Sequence, residues 1–121
     1  MTNNVIYTKL DVSMKSGEKH FSDNTSLEKG TCVGVEFVPF SKQHPDFSLN
    51  IEVKNSQGGV LLDSTDFRSY IHKGGGFFNG MKQVNFPTDN NRFFISLNSE
   101  KQLENDLNGQ LIFAIKREEE Q

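Results

Sequence analysis

The sequence predicts an all-β protein: an antiparallel β-sandwich of about seven to nine short strands, in a single domain over residues 1–121. Three observations lead there. Apolar residues recur at every second position in run after run. Clusters rich in glycine, asparagine and proline separate the runs. The runs start about 8–12 residues apart, with almost no helical periodicity between them.

The first run, "NVIYTKLDVS", sets Ile6, Thr8, Leu10 and Val12 on one face and Val5, Tyr7, Lys9 and Asp11 on the other. "KSGE" reads as the turn that closes it. "TCVGVEFVPF" groups Val33, Val35 and Phe37, and its β-branched density suits a buried strand. In "DFSLNIEVKN", Phe47, Leu49, Ile51 and Val53 alternate strictly with polar neighbours. "SQGG" then turns the chain and "VLLD" returns it, so residues 46–63 read as a hairpin. "FFNGMKQVNF" reads as a strand with a kink at Asn79 and Gly80. "RFFISLN" presents Phe93, Ile95 and Leu97 together. "QLIFAIKR" offers Leu111, Phe113 and Ile115 on one face with Ile112 and Ala114 on the other, which predicts cover on both sides. "PTDNN" and "DLNGQ" read as turns. At most one short helix is expected, near 99–107, where Ser99 would cap it and Gln102 would complete a capping box.

Eleven phenylalanines in patterned runs offset a low hydrophobic fraction of 34%, so a core is expected without disulfide or metal staples. A single jelly roll fits this strand number and length. Immunoglobulin-type sandwiches fit less well, since the chain has no tryptophan and one cysteine. The formal charge of −3 is spread along the chain and forms no basic face, so nucleic acid is not an expected partner. The one charge cluster, "KREEEQ", reads as a solvated tail at about 117–121. No apolar run approaches the ~20 residues of a membrane span. "MTNNVIYTKL" lacks the features of a signal peptide, which predicts synthesis in the cytoplasm.

No motif identifies a reaction. His20, His44 and His72 lack metal-ligand spacing, no nucleophile elbow occurs, and no cofactor is expected. Cys32 lies in an apolar strand and reads as a small buried hydrophobe, not a reactive thiol. Asp63 and Asp66 in "LLDSTDFRSY" have the spacing of a Ca²⁺-binding loop or an acid–base pair, but an Asx turn uses "DST" equally well. Gly74, Gly75 and Gly76 in "YIHKGGGFFNGMKQVNFP" lack both the Lys-Ser/Thr ending and the following helix of a phosphate loop. They read as a bend that delivers Phe77 and Phe78 to opposite faces of a sheet. Phe93 and Phe94 pose the same problem, because adjacent strand residues are both buried only when both faces are covered. Contact with another subunit would supply that cover; a loop of the same chain is the alternative. A second candidate site is a small polar-aromatic patch of Asp66, Arg68, Tyr70 and His72, suited to a carbohydrate or another small ligand.

From "GVLLDSTDF" through "VNFPTDNNRFFISLNSEKQLENDLNGQLIFAIKRE" the chain resembles small jelly-roll structural proteins of bacteriophage particles, such as pentons, spikes and minor capsid subunits. Asparagine-rich turns, Phe-rich strands and a final apolar strand ending in charge carry the resemblance. It implies a non-enzymatic, homo-oligomeric virion subunit that contacts itself and neighbouring virion proteins.

Overall fold

The computed structural model describes residues 5–40, 47–71, 80–88 and 91–117. Among the described residues, eight strands run in the order β1 (Val5–Met14), β2 (His20–Ser26), β3 (Thr31–Pro39), β4 (Leu49–Lys54), β5 (Val60–Asp66), β6 (Lys82–Pro87), β7 (Arg92–Ser99) and β8 (Leu107–Lys116). They form two four-stranded antiparallel sheets, β1-β8-β3-β6 and β2-β7-β4-β5.

The pairing is nested: β1 lies against β8, β2 against β7, β3 against β6 and β4 against β5. That is one long antiparallel hairpin rolled on itself. The β3–β8 and β4–β7 ladders close the two sheets. This strand order is that of a jelly roll, as the strand number predicted.

Alternation places the core. Leu10 and Val12 of β1, and Leu111, Phe113 and Ile115 of β8, face Ile51 and Val53 of β4 and Ile95 and Leu97 of β7, all buried. Two aromatic contacts fix the interior. Phe86 of β6 meets Phe93 of β7 across the sandwich, with centroids 5.7 Å apart. Phe37 of β3 meets Phe67 edge to face at 6.0 Å, a geometry that aromatic pairs favour.

β8 is covered on both sides, as its sequence predicted. On the outer face, Ile112 and Ala114 pack with Met81 in a second buried cluster, against which Val5, Val33 and Val38 lie.

Several local expectations are corrected. Residues 99–107 form no helix. Leu103 there exchanges backbone hydrogen bonds with the β1–β2 turn: its carbonyl accepts from Gly17 N–H at 2.7 Å and its N–H donates to Glu18 at 3.0 Å. Those long-range bonds replace the helical ones that only two apolar residues would have supported. The short helical turn lies instead at Phe67–Tyr70, a 3-10 helix capped by Asp66. A β-bulge between Cys32 and Gly34 shifts the register of β3, so Cys32 joins Val35 and Phe37 in the core and Val33 joins the outer cluster. Asn108 and Gly109 of "DLNGQ" lie inside β8 and not in a turn. A Cβ at Gly109 would stand 2.6 Å from the Val38 carbonyl oxygen, so the ladder there needs a residue without one.

Candidate functional site

The outer face of the β2-β7-β4-β5 sheet carries the exposed member of a Phe-Phe pair. Phe93 is 2% exposed and faces the core; Phe94, one residue on, is 43% exposed and faces out. The ladder places Phe94 between Asn24 of β2 and Lys54 of β4, and Lys54 is in turn paired with Val60 of β5. Val60 is 47% exposed. Phe94, the Lys54 stem and Val60 therefore make one row across three strands, and long aliphatic stems extend apolar surface in this way.

Around that row the face is polar. The Arg92 guanidinium donates to Asn24 Oδ1 at 2.8 Å. The Lys54 ammonium lies 3.6 Å from Glu52, and His20 shares a 2.6 Å hydrogen bond with Asn98. Beside Phe94 is a shallow depression of about 320 Å³, lined by Ser22, Asp23, Asn24, Lys54 and Ser96 among others.

The sequence located Phe94 but not Val60 or the row they share. Two register shifts between β4 and β5 bring Val60 opposite Lys54. Bulges of this kind leave little trace in alternation; the "SQGG" turn immediately before Val60 was the available signal.

Of the polar-aromatic patch proposed from sequence, the described members Asp66, Arg68 and Tyr70 do not form an open site among themselves. Asp66 is occupied by its own chain. Its carboxylate accepts from the Arg68 backbone N–H at 3.0 Å and from the Arg68 guanidinium at 3.0 Å on both oxygens. It also accepts from Leu49 N–H at 3.3 Å, while Arg68 Nη2 donates to the Phe47 carbonyl at 3.4 Å. The guanidinium covers the Phe67 ring at 4.8 Å. This is a clamp joining the end of β5 to the start of β4. The Asx role expected of "DST" falls to Asp66, while Asp63 is an exposed residue of β5.

Tyr70 is 0% exposed and belongs to the core. The 3-10 turn rotates it inward, away from any surface patch, and Lys82 Nζ sits 5.3 Å from its ring centroid. Burial pushes its phenol up to about 12, and its hydroxyl has no hydrogen-bond partner among the described residues. Cys32 is buried, as expected. Burial drives its thiol up to about 12, against a smaller opposing effect of the contact with Gly34. No group of three metal-ligating side chains occurs among the described residues. His72, Gly74, Gly75, Gly76, Phe77 and Phe78 lie outside the described residues.

No family model matches the chain. No curated protein matches it either. Among solved structures, the chain is similar to one described as the crystal structure of the infectious bursal disease virus VP2 subviral particle. The likeness has a TM-score of 0.43 and 14% sequence identity, and covers 93% of this chain and 33% of that chain. The chain thus spans about a third of the length of the protein it matches.

Proposed function

We propose that this protein is a non-enzymatic assembly subunit, a homo-oligomeric component of a virion of the capsid or spike type, working through contacts with itself and with other virion proteins. The observation that carries the reading is the exposed row of Phe94 and Val60 on the face of a sheet whose opposite side is a complete core. Single exposed apolar residues are ordinary. An aromatic and a branched aliphatic residue linked across one ladder form a surface that gains from being covered; fully burying an exposed Phe side chain is worth about 1.5–3 kcal/mol, and Phe94 has 43% of its surface left to bury. The jelly-roll order supports the virion reading, since capsid domains are among the uses of this fold. Sedimentation velocity tests it: Phe94→Ser should lower the sedimentation coefficient of a protein that remains folded, and an unchanged coefficient counts against the row as a contact.

A second reading, a carbohydrate-binding module, is favoured by the depression beside Phe94, where hydroxyl and amide side chains flank an aromatic ring. Calorimetric titration with simple sugars separates the two. Saturable heat lost in Phe94→Ser would support the module.

A further inference from the structure

The four sheet edges are not alike. β2 carries Asp23 in the ladder row of buried Ile95, a charge on the core-facing side of the strand. β5 is interrupted by two register shifts against β4. β6 has six residues, a register shift against β3, and Pro87 at its end. Inward charges, bulges, short length and proline are the devices that stop an edge from recruiting another strand. β1 has none of these; the one protective feature it carries is its charged outer row, Lys9 and Asp11. It runs for ten residues without glycine or proline, in unbroken register with β8 from Val5 to Met14. Among the described residues nothing pairs with its other side.

We infer that the free edge of β1 pairs antiparallel with β1 of a second copy of this chain, about a twofold axis at Leu10. The inference rests on the self-association proposed above and names a contact for it. Parity limits the choice, because a register that keeps core-facing residues on one side must pair even positions with even ones. Centring the axis on Lys9 sets Lys9 against Lys9, and centring it on Asp11 sets Asp11 against Asp11. Like charges directly opposite are unfavourable. Centring it on Leu10 sets Lys9 of each copy against Asp11 of the other, giving two ion pairs. It also places Ile6 against Met14, Thr8 against Val12 and Leu10 against Leu10 on the core-facing side. Lys9 and Asp11 are both exposed, and Lys9 makes no ion pair among the described residues. The result is a continuous eight-stranded sheet across the axis, an isologous contact that closes on itself.

Charge exchange tests this, read by sedimentation equilibrium in a Phe94→Ser background so that the other proposed contact is silent. That protein should be a dimer. Lys9→Asp and Asp11→Lys should each weaken dimerisation about tenfold, and the exchanged double variant Lys9→Asp with Asp11→Lys should recover it to within about threefold. Singles without effect, or a double variant no better than the singles, would overturn the β1 contact while leaving association through Phe94 standing. Asp11 also accepts a 3.1 Å hydrogen bond from Gln110, so a second readout guards against local damage. In the unmodified chain, alternate amides of β1 should exchange more slowly in concentrated than in dilute solution. Exchange independent of concentration would also overturn the contact.

Discussion

Phe93 and Phe94 are consecutive in β7 and serve opposite surfaces: Phe93 packs against Phe86 with ring centroids 5.7 Å apart, while Phe94 stands on the outer face at 43% exposure. Pleating alone produces this division. It separates what the pair contributes to folding from what it contributes to association, so the two residues should respond to mutation in different ways.

Phe93→Ala removes an aromatic bridge between the sheets and should cost about 3–5 kcal/mol in urea denaturation. Phe94→Ser should change unfolding free energy by no more than about 0.5 kcal/mol while shifting the association equilibrium. Equal stability losses at both positions would contradict the division.

Asp66 acts as a cap and accepts from Arg68 Nη1 on both carboxylate oxygens. Asp66→Ala should destabilise by about 1–2 kcal/mol, measured by thermal or urea unfolding. Because the pair is partly exposed, with side chains 46% and 31% accessible, Arg68→Lys should cost less than about 1 kcal/mol.

Much of the architecture was legible in alternation. Ile51 and Val53, Ile95 and Leu97, and Leu111, Phe113 and Ile115 sit where a period of two places them. The misses have separate causes. The bulge at Cys32/Gly34 flips Val33 to the outer face. The backbone ties of Leu103 hold residues 99–106 out of a helix, and the 3-10 turn rotates Tyr70 inward. The first depends on one inserted residue, the second on a partner far away in sequence, and the third on a local cap at Asp66 that alternation does not register. The candidate surface was half legible: a Phe-Phe pair in a strand leaves one ring over, and alternation with Ile95 and Leu97 marks it as Phe94, but Val60 reaches the same row only through two register shifts.

The pH response follows from two buried groups. The Cys32 thiol and the Tyr70 phenol are each held up at about 12, from ordinary values of 9.0 and 10.0. A raised value means that the folded state holds the proton where the unfolded chain releases it. Their contribution is therefore whole below pH 9 and is lost as pH rises from about 9 toward 12. Urea midpoints should be level from pH 7 to about 8.5 and fall above that, and Cys32→Ala should flatten the early part of the fall. The Tyr70 hydroxyl is buried with no hydrogen-bond partner among the described residues, so Tyr70→Phe should be neutral or stabilising by up to about 1 kcal/mol.

Gly30 holds a backbone approach that no side chain permits. Its φ is +154°, and a Cβ there would overlap the Lys116 backbone carbonyl at the end of β8. The same residue's carbonyl accepts from Thr88 N–H at 3.0 Å, so the chain cannot swing away without loss. Gly30→Ala should lower stability by more than about 1 kcal/mol, read as a drop in urea midpoint.

As subunit contacts, the exposed row and the β1 edge both require the chain to associate with itself. Light scattering on the eluting peak of a size-exclusion column, run from micromolar to several hundred micromolar protein, reads this directly. The expected result is a mass that rises with concentration to at least twice the 13.7 kDa of one chain. A constant mass of one chain across the whole range would contradict it.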